Sequence, residues 1–209
     1  MQSTEIVPFE RRHMDSVTES LILAFWDDPF AIYFAPDPNK RRKVLTWMWR
    51  SALSYASRWG VTHTDPTGRS AAIWLPPGGT SIPMRRMIRT SFIRAPFVLG
   101  LRGMKRFSAM DSITRKAHKR QAPDPHWYLM TLGVHPDLQG QGIGSALIRV
   151  VHDRADAAGQ LCYLETATEA DVAFYSKRGY EVGESLQTGT LSGASMIRRP
   201  VSASPASTA

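Results

Sequence analysis

Cysteine is nearly absent from this chain of 209 residues. Cys162 stands alone, so no internal disulfide can form. Its apolar setting, Leu161-Cys162-Tyr163-Leu164, predicts a buried, inert thiol rather than a nucleophile. Long hydrophobic runs are missing too. None approaches the roughly 18 residues needed to span a bilayer, and the most apolar middle stretch, residues 91–101, is interrupted by Arg94. Residues 1–8 lack both the basic start and the apolar core of a secretory signal. A cytoplasmic protein is expected, and 43% hydrophobic residues supply the material for a sizeable core.

Acidic residues are scarce in one place only. Residues 84–120 hold eleven of the 26 Lys and Arg residues and a single acid, Asp111, so this segment carries +10. The other 15 basic and 17 acidic residues sum to −2, which gives the net +8. The basic character is therefore local. A segment of this kind can grip nucleic acid or an anionic membrane with a marked salt dependence. The plainer expectation is solvated helix faces that also help hold phosphate. No nucleic-acid partner, no membrane partner and no metal are expected.

What is present becomes specific at the glycines. Gly140, Gly142 and Gly144 alternate in Gln139-Gly140-Gln141-Gly142-Ile143-Gly144. They lie between an apolar run, residues 127–134, and the periodic stretch Ser145-Ala146-Leu147-Ile148-Arg149-Val150-Val151. That order predicts a strand, a tight loop and a helix whose first N–H groups lack partners. Such donors, with the positive end of the helix dipole, favour a phosphate, and glycine lets the backbone come close to it. On the glycines alone, a strand-to-helix turn without a ligand is the alternative. Two nucleotide loops are excluded. A dinucleotide fingerprint needs a third glycine where Ser145 stands, and a Walker A loop needs a terminal Gly-Lys-Ser/Thr that does not occur.

The remainder reads as alternating elements. Residues 5–9 form a short strand. Residues 13–25 form a helix, with Met14, Val17, Leu21 and Phe25 at helical spacing, stopped by Asp27-Asp28-Pro29. Residues 40–58 form a second amphipathic helix, and residues 60–64 and 70–75 a hairpin closed by Asp65-Pro66-Thr67-Gly68. Residues 82–121 are expected to fold as two or three helices broken near Pro96 and Gly100/Gly103. Strand 161–166, helix 171–178 and strands 180–184 and 190–198 complete the chain. This alternation predicts a mixed α/β sheet in one domain over residues 1–200, with 82–121 as a basic helical insertion and 201–209 as a disordered Ser/Ala/Pro-rich tail.

The glycine loop with its flanks resembles the acetyl-CoA signature of the GNAT superfamily of N-acetyltransferases. The resemblance continues through Leu164-Glu165-Thr166 and through Ala173-Phe174-Tyr175-Ser176-Lys177-Arg178-Gly179-Tyr180-Glu181-Val182. Within the superfamily the chain is most similar to puromycin N-acetyltransferase-type enzymes, through residues 127–134, Leu164-Glu165-Thr166 and Ala24-Phe25-Trp26-Asp27-Asp28-Pro29. The resemblance implies a mostly antiparallel sheet whose fourth and fifth strands splay apart around the pantetheine arm. It also implies a helical insertion before the fourth strand and acetyl-CoA as co-substrate.

Roles follow residue by residue. The resemblance assigns cofactor binding to Leu132, Gly133 and Val134 on the fourth strand. The loop and helix start, Gln139, Gly140, Gln141, Gly142, Ile143, Gly144 and Ser145, would hold the phosphates. Asp171 stands where the family often has an asparagine that contacts the CoA arm, and an ionised aspartate cannot donate. Tyr175 matches the general-acid tyrosine, since a phenol of pKa about 10 can protonate a thiolate of pKa about 8–9. Glu165 is the first candidate for general base and His126 another. Asp27, Asp28, Tyr33 and Phe34 are candidates for the acceptor site.

The function expected is acetyl transfer to an amine of an antibiotic-like or xenobiotic small molecule, by direct attack in a ternary complex. The alternatives are a protein lysine or N-terminal acetyltransferase, and a non-catalytic acyl-CoA sensor whose basic segment binds nucleic acid or membrane. A monomer or homodimer is expected.

Overall fold

The computed structural model describes residues 4–201, so the expected tail lies outside the described residues except for Val201. A seven-stranded sheet runs in the order β1-β2-β3-β4-β5-β7-β6. Its strands are β1 (Val7–Pro8), β2 (Val61–Thr64), β3 (Ser70–Leu75), β4 (Trp127–Val134), β5 (Cys162–Thr166), β6 (Tyr180–Thr188) and β7 (Leu191–Arg198). Every neighbouring pair is antiparallel except β4 and β5.

That parallel pair is where the sheet opens. Only Trp127 opposite Cys162 and Tyr128 opposite Tyr163 are paired. Beyond them the strands diverge, each still paired on its other edge, β4 with β3 through Val134 and β5 with β7 through Thr166. A stretch of β4 therefore lacks a ladder partner on the β5 side, and its alternate backbone groups face a gap. The expected splay is present.

A bulge sharpens the opening. Ile73 pairs with Thr131 but Trp74 pairs with Leu129, which leaves Met130 as an extra residue on β4. One inserted residue reverses the side-chain alternation. Before the bulge, Trp127 and Leu129 join the core beneath α6 (Ile143–Ala157). After it, Leu132 and Val134 pack on that same core, while Met130 joins the opposite one. Two cores thus sandwich the sheet. On the second face, α1 (Met14–Ala24) and α3 (Pro38–Trp59) bury Val17, Leu21, Leu45 and Leu53 against Ala71 and Ile73.

Local chemistry sets the helix ends. In α6, Gly159 adopts a left-handed conformation with φ +62°, the Gln160 N–H bonds the Ala155 carbonyl and the Gly159 N–H bonds that of Asp156. This Schellman closure ends α6. Asp27-Asp28-Pro29 ends one helix and starts another. Asp28 Oδ1 accepts from the Phe30 N–H at 2.8 Å and caps the short α2 (Pro29–Phe34), a helix absent from the sequence reading.

The basic segment forms α4 (Met84–Met87), a 3-10 turn (Ser91–Arg94) and two helical stretches that meet at the expected break at Gly100, together α5 (Ala95–Gln121). Pro96 opens α5 instead of breaking it, because the first turn needs no N–H from that residue. Gly100 kinks the helix at φ +64°, and Gly103 continues it. The insertion is tied down along its length. Trp47 Nε1–H donates to the Ser91 carbonyl at 2.8 Å, Arg106 Nη1 to that of Tyr33 at 3.0 Å, and Arg120 Nε to Glu184 at 3.0 Å. Phe107, Met110, Ile113 and Thr114, at helical spacing, face inward over the β4–β5 opening.

Candidate active site

A cavity of about 410 Å³ lies under α5 and runs into the β4–β5 gap. Its walls come from α1, α3, α5, β4, β5 and the end of β6 with β7. Leu132, Gly133, Val134 and Gln139 line it, as do Glu165, Asp171 and Tyr175. The strand positions assigned to a cofactor, with Gln139 alone of the loop and helix-start positions, thus share one space with Glu165 and Tyr175, while residues 140–145 lie outside the lining.

Gly133 has a separate reason for its size. A Cβ there would come within 2.4 Å of Leu21 Cδ2, so the missing side chain lets α1 pack directly on β4. Gln139 folds back, and its Nε2 donates to the Val134 carbonyl at 3.1 Å. Gly140 and Gly142 have φ of +75° and +83°, and Gly142 is the N-cap of α6. No side chain caps that end, so the N–H groups of the first turn, from Ile143, Gly144 and Ser145, face outward. Gln141 braces the loop by donating to the Asp137 carbonyl at 3.1 Å. A Cβ on Gly144 would lie 3.4 Å from Phe174 and 3.7 Å from Val134, which places this helix end beside the cavity.

One residue there escaped the sequence reading. The Arg178 guanidinium bonds Ser145 Oγ through Nε at 3.0 Å and lies 3.5 Å from the Phe174 ring centroid. Among the described residues it pairs with no carboxylate, and burial holds its pKa below the usual arginine value. A cation beside a helix N-terminus is opposed by the dipole. An anion bridging the guanidinium and the free N–H groups would reverse that sign. The unpartnered β4 edge, the left-handed glycines and this cation fit an extended, phosphate-bearing cofactor such as CoA. Arg178→Met should weaken acetyl-CoA binding about tenfold or more, the size of one charge-assisted hydrogen bond. Calorimetry at two salt concentrations checks this; unchanged affinity would remove Arg178 from the phosphate site.

Asp171 has a structural task as well as a place in the lining. Its carboxylate accepts from Thr168 Oγ1 at 2.6 Å and Thr166 Oγ1 at 3.0 Å, and its N–H bonds the Thr168 hydroxyl at 3.0 Å. It therefore closes the N-terminus of α7 (Glu169–Ser176) while showing a face to the cavity.

Glu165 is half-buried, and desolvation pushes its pKa up to about 7. The Tyr128 and Tyr163 hydroxyls beside it oppose that rise, although Tyr163 Oη forms no well-shaped hydrogen bond. Tyr175 is buried, its ring packed edge-on to Phe174 and Tyr180, and desolvation pushes its phenol well above the ordinary tyrosine range. It stays protonated at neutral pH. Burial likewise raises the Cys162 thiol to about 12, as its apolar setting led one to expect.

Of the other candidates only Asp28 reaches the cavity. His126 is buried and bonded to His118 across 2.6 Å between their Nε2 atoms, away from the lining. Asp28 lines the cavity, with its pKa raised by burial; Asp27 is exposed and does not. Tyr33 and Phe34 sit behind the wall. Tyr33 faces Thr188 and Arg106, and Phe34 packs on Phe30 and Phe107. From α2 it is Phe30 that reaches the space.

Comparison with known proteins places this geometry. A family profile described as acetyltransferase (GNAT) domain matches residues 107–182. A protein named uncharacterized N-acetyltransferase in Schizosaccharomyces pombe is 24% identical over 183 residues, covering 85% of this chain and 74% of that one. Among solved structures, histone acetyltransferase HPA2 and related acetyltransferase from Corynebacterium glutamicum superposes with a TM-score of 0.67 at 18% identity, over 98% of this chain and 99% of that one. Arylalkylamine N-acetyltransferase 2 from Aedes aegypti gives a TM-score of 0.60 at 14% identity, over 93% and 98% of the two chains. The ribosomal-protein-S18-alanine N-acetyltransferase from Escherichia coli gives 0.53 at 14% identity, over 97% of each.

Proposed function

We propose that this acyltransferase, whose residues 107–182 match a GNAT acetyltransferase domain, transfers acetyl from acetyl-CoA to the amine of a small molecule. The observation that carries this reading is the continuity of the cavity with the β4–β5 gap under the roof of α5. Structural neighbours named for arylalkylamines and for a ribosomal protein share the fold, so the fold alone does not choose between acceptors. A covered chamber of about 410 Å³, walled by aromatic side chains, favours a compact acceptor over a protein tail.

Acetyl-CoA supplies the thioester carbonyl when bound. The protein then has two protons to manage. An ammonium must lose one before its lone pair can form the new C–N bond, and a half-ionised Glu165 suits that removal near neutral pH. As the C–S bond breaks, the Tyr175 hydroxyl can give its proton to the departing sulfur; the proton that the attacking nitrogen sheds on becoming an amide returns through solvent to the Tyr175 oxygen, and Glu165 releases its own to solvent. The backbone N–H groups of Leu132 and Val134 on the open edge are the candidates to hold the pantetheine arm and the carbonyl oxygen, the Val134 carbonyl being taken by Gln139. The sequence likeness to puromycin-type enzymes brings aminonucleosides within this reading.

The test is CoA release from acetyl-CoA with a panel of small amines, aminonucleosides included, beside lysine-bearing and N-terminal peptides. Turnover with a small amine is expected. Turnover with peptides alone would overturn the reading in favour of a protein acetyltransferase, and tight acetyl-CoA binding without any turnover would favour a sensor.

A further inference from the structure

The chain carries +8, yet the described residues lining the cavity include three carboxylates, Asp28, Glu165 and Asp171, and no Lys, Arg or His. All eleven cations of residues 84–120 are kept out of the lining, although α5 forms its roof. Two of the acids are fixed before any ligand arrives. Asp28 accepts from the Phe30 N–H at 2.8 Å, and Asp171 from Thr168 Oγ1 at 2.6 Å. The Asp171 charge also adds to the burial that raises the Asp28 pKa, so the two sense each other's field across the space. A cation placed there relieves that repulsion. An anion would meet three acids and find no counter-charge.

The wall formed by α3, the 3-10 turn and the inner face of α5 is mostly soft and apolar, while hydroxyl and amide groups of Tyr128, Thr131, Gln139 and Gln187 lie on the strand side. Trp49, Phe92, Phe107, Met110 and Ile113 offer no polar group to a ligand chain except the Trp49 indole N–H, which is buried without a partner. Thioether and aromatic surfaces of this kind adapt to ring-sized apolar bodies. A polyamine would leave that wall without a partner and press ammonium groups against Met110 and Ile113.

Resting on the amine-acetyltransferase reading above, the geometry points to one acceptor class: a cationic amine on an apolar, ring-sized body, bearing no carboxylate, phosphate or other anionic group. The inner face of α5 is then the specificity element. The basic insertion contributes its apolar side to the acceptor and its charges to solvent.

The experiment compares kcat/KM for 2-phenylethylamine, phenylalanine and spermidine, with acetyl-CoA saturating. Phenylalanine keeps the ring and amine but adds a carboxylate; spermidine keeps the charge but lacks the body. Phenylethylamine should exceed phenylalanine by about a hundredfold, because a second anion beside the acids is strongly disfavoured in a desolvated site, and spermidine by a similar factor of about a hundredfold, because its chain leaves the apolar wall unfilled and desolvates extra ammonium groups against it. Met110→Arg should narrow the phenylethylamine-to-phenylalanine ratio by tenfold or more while acetyl-CoA affinity, read by calorimetry, stays within twofold. Thr114→Lys, half-buried on the same lining, makes the same test should Met110→Arg fail to fold. Phenylalanine or spermidine turned over as well as phenylethylamine, or an unmoved ratio in a folded variant, overturns the inference and leaves amine acetylation standing. Acetylation of peptides but of no small amine overturns the underlying reading and the inference with it.

Discussion

Tyr175→Phe should lower kcat by roughly 10²-fold or more, the usual contribution of a positioned general acid, with little change in acetyl-CoA affinity. The substitution removes one oxygen and leaves the ring. Because that ring packs between Phe174 and Tyr180, the core beneath α6 and α7 keeps its filling, and the thermal midpoint should move little. The surroundings hold the proton on the phenol. Burial and the nearby Asp171 charge both disfavour phenolate, so the proton is present throughout the neutral range. The same shift makes the phenol a weaker acid towards a thiolate of pKa about 8–9, so delivery depends on the negative charge developing on sulfur directly beside the hydroxyl, not on a pH-dependent supply of tyrosine protons. The measurement is single-turnover acetyl transfer for wild type and variant, beside calorimetric acetyl-CoA binding. An unaltered rate retires Tyr175 as the acid. A rate loss matched by equal loss of cofactor affinity would make it a packing residue of the gap.

Much of this site is local and therefore legible in the chain. The loop glycines announce left-handed turns, and Gly142 and Gly159 bracket α6 as their positions predict. The strand before the loop and the helix after it follow from periodicity. Long-range placement is what the residue order does not carry. Arg178 reaches Ser145 across 33 positions, and no local pattern marks that contact. Asp28-Pro29 reads as a stop signal, yet the same carboxylate and the same fixed φ are what a helix start requires, so α2 was hidden in plain chemistry. That short helix then decides which aromatic residue reaches the cavity. Its rotation presents Phe30 to the cavity and turns Phe34, an acceptor-site candidate by sequence, into the core. The opening between β4 and β5 came from resemblance, because composition cannot distinguish a paired parallel strand from a splayed one. The bulge at Met130 is likewise invisible in an all-apolar run.

Glu165→Gln tests the other proton and separates chemistry from structure. In the wild-type enzyme kcat/KM for the amine should rise with pH up to about 7, where the carboxyl loses its proton, and flatten above. The amide cannot titrate, so the variant should lose that inflection and fall about 10²-fold or more below wild type on the plateau. Stability should move the other way. The folded pKa lies above the ordinary glutamate value, so folding binds this proton more tightly than the unfolded chain does. The stability it contributes is fully present below the unfolded pKa and is lost as pH rises through about 7. Glutamine keeps the shape without that loss. The variant should therefore melt close to wild type near pH 4.5 and above it at pH 8, with the gap opening through the same range as the rate inflection. Thermal melts across pH 4.5–8.5 check this. A variant less stable than wild type at pH 8 would mean that the Tyr128 and Tyr163 hydroxyls hold the charged carboxylate as a structural anchor, and the base would have to be sought elsewhere. A more stable and slower variant would mark Glu165 as a charge kept in an unfavourable place for the sake of the reaction.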